Sequence, residues 1–321
     1  MSGASNLLLT CRENRDDVAI LKVETADQNV ILPESLWDKP VTELGHHIFA
    51  PGGQDMQGKQ IRIVGGSESA DAPDNRKIRR ITLPDTVRTV GSYAFYNCDH
   101  LRELRLSDHT CDWGGSTLMN CRLLNRFVIT LSDSRAGVLE HFTDELSREL
   151  DVTLVYPNGE LARLIFPEYW EAFEENTPAK HFDCHIYGVG YPYHCCFRDK
   201  ALSLAEFDRA WQGHLRAGHD VRCALRLAFY RVRYPRELLK EAGERYLKYL
   251  KNHTGEVLSW LLEEKDTRSL AWFLAQAEPS REEVAAACDQ ARRRNAAEAL
   301  ALLLETQHRR FPAGQEKTFD L

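Results

Sequence analysis

The sequence predicts an α+β chain, a short repeat-built solenoid followed by an all-α helical domain of stacked helix pairs. Three observations predict it. Apolar anchors recur every 23 residues through the first half. From about Ala201 the apolar spacing switches to a helical period. Charge also divides unevenly: residues 179–321 carry 23 Lys/Arg against 20 Asp/Glu, and the remainder carries 18 against 28. The expected domains are a solenoid with capping strands over 1–166, a junction over 167–200 and a helical domain over 201–321.

The repeat is read by direct comparison. Gly91, Phe95, Asn97, Cys98, Leu101, Leu104 and Leu106 recur as Gly114, Leu118, Asn120, Cys121, Leu124, Phe127 and Ile129, each 23 residues on. Ile81 and Leu83 stand one period before Leu104 and Leu106. Val41, Leu44, Gly45 and Phe49 match Val87, Val90, Gly91 and Phe95 at a spacing of 46, which is two periods. The unit between them is degenerate and includes Gly65 to Asn75, a Gly/Ser/Asp/Pro stretch expected to be an inserted loop. In Leu104-Arg105-Leu106 the alternation is that of a strand, apolar inward and polar outward. One such unit cannot bury its apolar face alone, so stacked units must share a core. Gly91 and Gly114 are expected to permit tight turns with unusual backbone angles. The Asn97-Cys98 and Asn120-Cys121 pairs are expected inside, the amide bonding the turn backbone and the thiol packing as a small hydrophobe.

Leu83-Pro84-Asp85-Thr86-Val87, followed by Val90-Gly91-Ser92-Tyr93-Ala94-Phe95-Tyr96-Asn97-Cys98 and Leu101, resembles the BspA-like family of bacterial leucine-rich repeats. That family's unit reads I-P-x-x-V-x-x-I-G-x-x-A-F-x-x-C-x-x-L. The match is specific over Ile81 to Leu106 and partial over Leu32-Pro33 to Phe49. The unit from Ser107 departs from it: the proline is lost, Trp113 replaces the aliphatic, and Thr117-Leu118 replaces Ala-Phe. The resemblance implies a leucine-rich-repeat solenoid from about Leu32 to Ile129, of a kind similar to adhesion and protein-binding modules, many on cell surfaces.

Asp151 to Tyr156 and Leu161 to Phe166 read as two last strands around a Pro157-Asn158-Gly159 turn, capping the solenoid. In the helical half, Val257, Trp260 and Leu261 share a face, as do Leu270, Phe273 and Leu274. Ser280 with Glu283 is a capping box, and Asn295 with Glu298 is expected to open the next helix in a related way. Leu270, Phe273 and Leu274 recur as Leu300, Leu303 and Leu304 at a spacing of 30, which suggests stacked helix pairs similar to an ankyrin or other α-solenoid array. No ankyrin-type T-P-L-H motif accompanies them.

No phosphate loop, dinucleotide fingerprint, nucleophile elbow or H-E-x-x-H motif occurs, so no catalytic residue and no cofactor is assigned. His214, His219, Asp220 and Cys223 fall near one another without a clear nucleophile and read as packing or surface residues. His181, Cys184, His185, His194, Cys195 and Cys196 are the best metal candidates by residue type. Their spacing lacks paired C-x-x-C ligands, so no metal site is assigned. The basic stretch Arg222, Arg226, Arg231, Arg233, Arg236, Lys240, Arg245, Lys248 and Lys251 could meet phosphates. The acidic balance of the chain and the lack of a known motif make a solvated helical face the better reading, and nucleic acid is the runner-up partner. A dispersed enzyme site leaves no motif and stands third.

No apolar run approaches the ~20 residues of a membrane span. Leu7 to Leu9 precede the first charges, the reverse of a signal peptide, and nine cysteines are an odd set, so a cytoplasmic location is expected. The expected function is a non-enzymatic protein-interaction module. Its partner-binding residues follow from the period. Ile81, Leu104 and Phe127 point inward, so Arg80, Glu103 and Arg126 form one outward row, and Thr82, Arg105 and Val128 the next. Tyr187, Tyr191 and Tyr193, on a Gly/Pro-rich turn, complete the candidate surface, the favoured alternative being that these rings pack the joint between the domains. Exposed ion pairs add under ~1 kcal/mol, so charge reversal in the first row is expected to leave the fold nearly intact.

Overall fold

The computed structural model describes residues 5–52, 56–65, 72–176, 181–217 and 220–312. The chain divides into two compact units, Met1–Gly218 and His219–Leu321.

In the first unit the strands are β1 (Leu7–Glu13), β2 (Val18–Glu24), β3 (Asn29–Ile31), β4 (Ser35–Leu36), β5 (Lys39–Leu44), β6 (Lys59–Ile63), β7 (Arg80–Thr82), β8 (Thr89–Val90), β9 (Glu103–Ser107), β10 (Asp112–Trp113) and β11 (Arg126–Thr130). Helix α1 (Val138–Glu145) follows, then β12 (Leu150–Val155) and β13 (Leu161–Phe166). One sheet runs β10-β8-β5-β2-β1-β6, the other β13-β12-β11-β9-β7-β3. Successive turns of a solenoid give one strand to each. The 23-residue period becomes a register: Val30, Ile81, Leu104, Phe127 and Val152 stand side by side across the second sheet and are buried. Between the sheets Phe49 stacks on Phe95 at 5.4 Å. Each apolar column continues into the next turn, which is what a single unit lacks.

Several expectations change here. The 46-residue spacing does not hide a degenerate turn. Leu44 pairs directly with Val90, and Val30 with Ile81, so the turns before and after are adjacent in space. The intervening chain leaves the solenoid and carries β6 to the far side of β1. An insertion about one period long keeps the repeat in phase, which is why it imitates a missing unit. Part of the expected loop, residues 66–71, lies outside the described residues.

Gly91 and Gly114 do not have positive φ. They are glycines because neighbouring turns touch there: a Cβ on Gly91 would lie 2.6 Å from the Gly45 carbonyl carbon, and one on Gly114 2.3 Å from the Ser92 nitrogen. The left-handed angles fall instead on His47, Tyr93 and Ser116, one per turn, and on Asn97 and Asn120. Those asparagines do not sit inside. Asn120 is exposed, and its amide donates to the Asn97 side chain at 2.8 Å, a ladder between turns. Cys98 and Cys121 are buried as expected, their thiols donating to the Phe49 and Phe95 carbonyls. Burial pushes the Cys121 thiol up to about 12.

The unit from Ser107 departs from the repeat because α1 follows it. Phe142 of α1 stacks on Phe127 at 4.5 Å and meets Trp113 edge-on at 5.0 Å. Thr117, where the repeat has alanine, donates its hydroxyl to Glu145 at 2.9 Å, and the Leu118 N–H donates to the same carboxylate at 2.7 Å. The capping strands β12 and β13 form as expected, with Gly159 at φ 80° in their turn.

The junction is more ordered than its Gly/Pro content suggested. It holds the hairpin β14 (Tyr169–Asn176) and β15 (His181–Gly188), the short helix α2 (Tyr191–His194) and the strands β16 (Phe197–Arg198) and β17 (Ala201–Leu202). Helix α3 (Leu204–Arg216) stays with the first unit, whereas the helical domain was expected to begin at 201. Phe207 of α3 packs against Phe166 at 5.4 Å and Tyr193 at 4.8 Å, which ties the helix to the end of the solenoid.

The second unit contains α4 (Val221–Arg233), α5 (Lys240–Asn252), α6 (Thr254–Glu264), α7 (Thr267–Ala277), α8 (Arg281–Arg293) and α9 (Ala297–Arg310). Consecutive helices pair as α4–α5, α6–α7 and α8–α9; α4, α6 and α8 make one layer and α5, α7 and α9 the other. The 30-residue recurrence places Phe273 and Leu303, both fully buried, on α7 and α9 of the same layer. The Ser280–Glu283 capping box is present, but α9 has no side-chain cap, and Asn295 takes a left-handed angle in the preceding turn. No described helix is long and apolar enough to cross a membrane.

Candidate functional site

The outward face of the second sheet gathers charge by register. Arg80 pairs with Glu103, Glu103 with Arg126, and Arg126 with Asp151. In the next row Thr82, Arg105, Val128 and Thr153 stand side by side. Strand alternation forces this, because the intervening Ile81, Leu104 and Phe127 are fully buried.

Glu103 points outward yet is only 5% exposed. Its carboxylate is covered by three guanidiniums: Arg105 Nε lies at 2.5 Å, Arg80 Nε at 2.9 Å and Arg126 Nη1 at 3.7 Å. The Arg80 approach is an ion pair without hydrogen-bond alignment. The first row is therefore not a ladder of exposed pairs, and the expectation that its reversal would spare the fold loses its premise at Glu103. The three arginines come from three different turns, so the burial follows from stacking that no single repeat displays. Asp151, 3% exposed, repeats the arrangement with Arg163 of β13, bidentate at 2.7 and 2.6 Å. Both residues escaped the period because Asp151 stands 25 residues after Arg126; the alternation Asp151-Val152-Thr153 carries the signal instead. Four arginines thus share two sunken carboxylates, and the side chains of Arg80, Arg105 and Arg126 remain 43, 45 and 51% exposed.

The three tyrosines do not form one surface. Tyr193 is fully buried, its ring against Phe207 and its hydroxyl 3.1 Å from His214 Nδ1. Pro192 helps start α2 at this point, and one helical residue later the side chain faces the core. Tyr187 and Tyr191 are exposed; Tyr187 stacks on Trp170 of β14 at 5.6 Å, and Tyr191 meets Tyr169 at 5.4 Å.

The Cys/His candidates are also dispersed. Cys184 and His185 are exposed on β15, and Cys195 is exposed beyond α2. Buried His194 places Nδ1 3.1 Å from the Thr143 carbonyl and Nε2 3.0 Å from the Pro167 carbonyl, and burial lowers its pKa. Cys196 is buried, donates to the Pro192 carbonyl and is pushed up to about 12 by desolvation. The side chain of His181 lies outside the described residues. Among the described residues no group of three or more such side chains is placed to hold a metal. Of the other four, Asp220 caps α4, His214 and Cys223 are buried, and His219 lies outside the described residues.

The basic stretch does not build one face. Arg222 pairs with Glu263 and Glu264 of α6, Arg231 is buried, Arg233 lies over Trp272, and Lys240 pairs with Glu244.

Residues 71–138 match the family described as a BspA type leucine rich repeat region, with six copies. That stretch of the solenoid is similar to the BspA type. The match covers the turns that hold Arg80, Glu103, Arg105 and Arg126 of the second sheet, and the helical unit lies outside it. No curated protein and no solved structure matches the chain.

Proposed function

We propose that the chain is a non-enzymatic protein-interaction module that holds an acidic segment of its partner on the outward face of the second sheet. The supporting observation is the sharing of two sunken carboxylates by Arg80, Arg105, Arg126 and Arg163. Each carboxylate fixes guanidinium groups in place, so little ordering entropy remains to be lost on binding. The positive excess suits carboxylates, which arginine meets in bidentate geometry. Thr82 and Val128, half-buried in the next row, supply short side chains beside the arginines, so an extended segment can approach the sheet.

The test is affinity capture from nuclease-treated lysate of the native host, with the wild type and an Arg105→Glu/Arg126→Glu variant. The reading expects a protein retained by the wild type, released by moderate salt and lost from the variant, with both proteins folded by circular dichroism at the capture temperature and the variant melting lower because it uncovers Glu103. Equal retention by the two proteins removes this face as the binding site. Loss of all retention after nuclease treatment moves nucleic acid to first place.

A further inference from the structure

Strands β14 and β15 pair only with each other among the described residues. A two-stranded ribbon alone is marginal in water and gains stability from further strands. This one exposes apolar side chains on both faces: Trp170 (53%) and Tyr187 (43%) on one, Phe173 (65%) and Ile186 (44%) on the other. Each outer edge offers backbone groups for another strand.

The two edges differ in chemistry. β14 carries Glu171 on one face and Glu174 on the other and no basic residue, so two copies of it bring no opposite charges together. The centre of β15 reads Asp183-Cys184-His185. Two copies of β15, antiparallel about Cys184, place Asp183 of each opposite His185 of the other, on the same face and twice by symmetry. An imidazole N–H donates to a carboxylate whether the ring is neutral or charged. Within one hairpin Asp183 stands opposite Glu174, a like-charge pair that the strand's own His185, 3.9 Å from Glu174, already offsets in part and that His185 of a second copy would offset further.

We propose that the β15 edge is a homodimer contact, closing a four-stranded antiparallel sheet of two hairpins about a two-fold axis at Cys184. The proposal is independent of the arginine-lined face. A contact of this size is at the small end of stable interfaces, so the dissociation constant should be on the order of micromolar.

Sedimentation velocity of the full chain at tens of micromolar should show a reversible dimer. Asp183→His alone, or His185→Asp alone, sets like groups opposite each other and should give monomer. The double variant Asp183→His/His185→Asp restores the complementary pairs and should restore the dimer. In a Cys111→Ser/Cys195→Ser background, which removes the other exposed thiols, diamide should oxidise the facing Cys184 thiols to one intermolecular disulfide while it is itself reduced to the hydrazine. That crosslink should vanish with Cys184→Ser. A wild-type monomer at these concentrations overturns self-pairing and leaves the edge to a strand of another protein. So does a dimer indifferent to the single substitutions, a double variant that stays monomeric, or a crosslink that survives Cys184→Ser.

Discussion

At Gly114 a methyl group would land 2.3 Å from the Ser92 nitrogen and 2.7 Å from its Cα, both backbone, so neither can swing aside. Next to it, Gly115 has nothing within 4 Å of the same added carbon and no positive φ. Gly114→Ala should therefore cost about 1–3 kcal/mol or more through overpacking, and Gly115→Ala should be close to neutral. Paired urea melts decide it; equal midpoints would show that the turns can separate. Glu103 poses the complementary problem of a buried charge. Replacing it with arginine leaves Arg80, Arg105 and Arg126 facing a fourth cation, and breaking such a site typically costs about 3–5 kcal/mol. Arg105→Lys, which keeps a cation beside Glu103, should shift the melt far less. The direction of these side chains was readable from the period alone, because alternation fixes which residues face out. The depth of Glu103 was not, since it depends on three long side chains arriving from separate turns.

Helix α1 ends the run of short strands in the first sheet, and Glu145 at its last turn joins it to the turn before. Burial alone would raise the pKa of that carboxyl. The hydrogen bonds from His141, the Leu118 N–H and the Thr117 hydroxyl outweigh burial, and the net shift is below the ordinary 4.5. A carboxyl with a depressed folded pKa stabilises the fold above its unfolded value, and that contribution is lost as pH falls through the folded pKa. Glu145→Gln should accordingly lower Tm at pH 7, and the gap between variant and wild type should close as pH drops well below 4.5. A gap of the same size at pH 3 and pH 7 would show that the carboxylate's charge is not what anchors α1. Sequence reading saw the departures at Trp113, Thr117 and Leu118 but not their cause. A single eight-residue helix shows little periodicity, and its partners are recognisable only once Phe142 is seen against Phe127 and Trp113. The β14–β15 hairpin escaped for a related reason. Both its faces carry exposed apolar groups, so the in–out contrast that marks a strand packed on a core is absent.

At the scale of the whole chain, the change from a 23-residue β period to a helical period was plain, but the place where one compact unit ends was not. A change of period marks where helices begin, at about Ala201; a unit ends where packing ends, at Gly218. Helix α3 lies between these two points. It buries Phe207 fully, against Phe166 at the end of β13 and against Tyr193 in α2, and the Tyr193 hydroxyl reaches His214 of the same helix. Removing α3 would take away Phe207 and uncover the Phe166 and Tyr193 rings at the end of the solenoid at once, and a large buried aromatic removed from a core typically costs about 3–5 kcal/mol. Two truncations separate the alternatives. A fragment of residues 1–218 should melt cooperatively, whereas residues 1–200 should melt at lower temperature and bind a hydrophobic dye before heating. A third fragment, 219–321, should give a helical circular dichroism spectrum, because its layers α4–α6–α8 and α5–α7–α9 are packed from its own helices. If 1–200 is as stable as 1–218, α3 is an accessory of the solenoid, and the change in sequence period marks the true boundary after all.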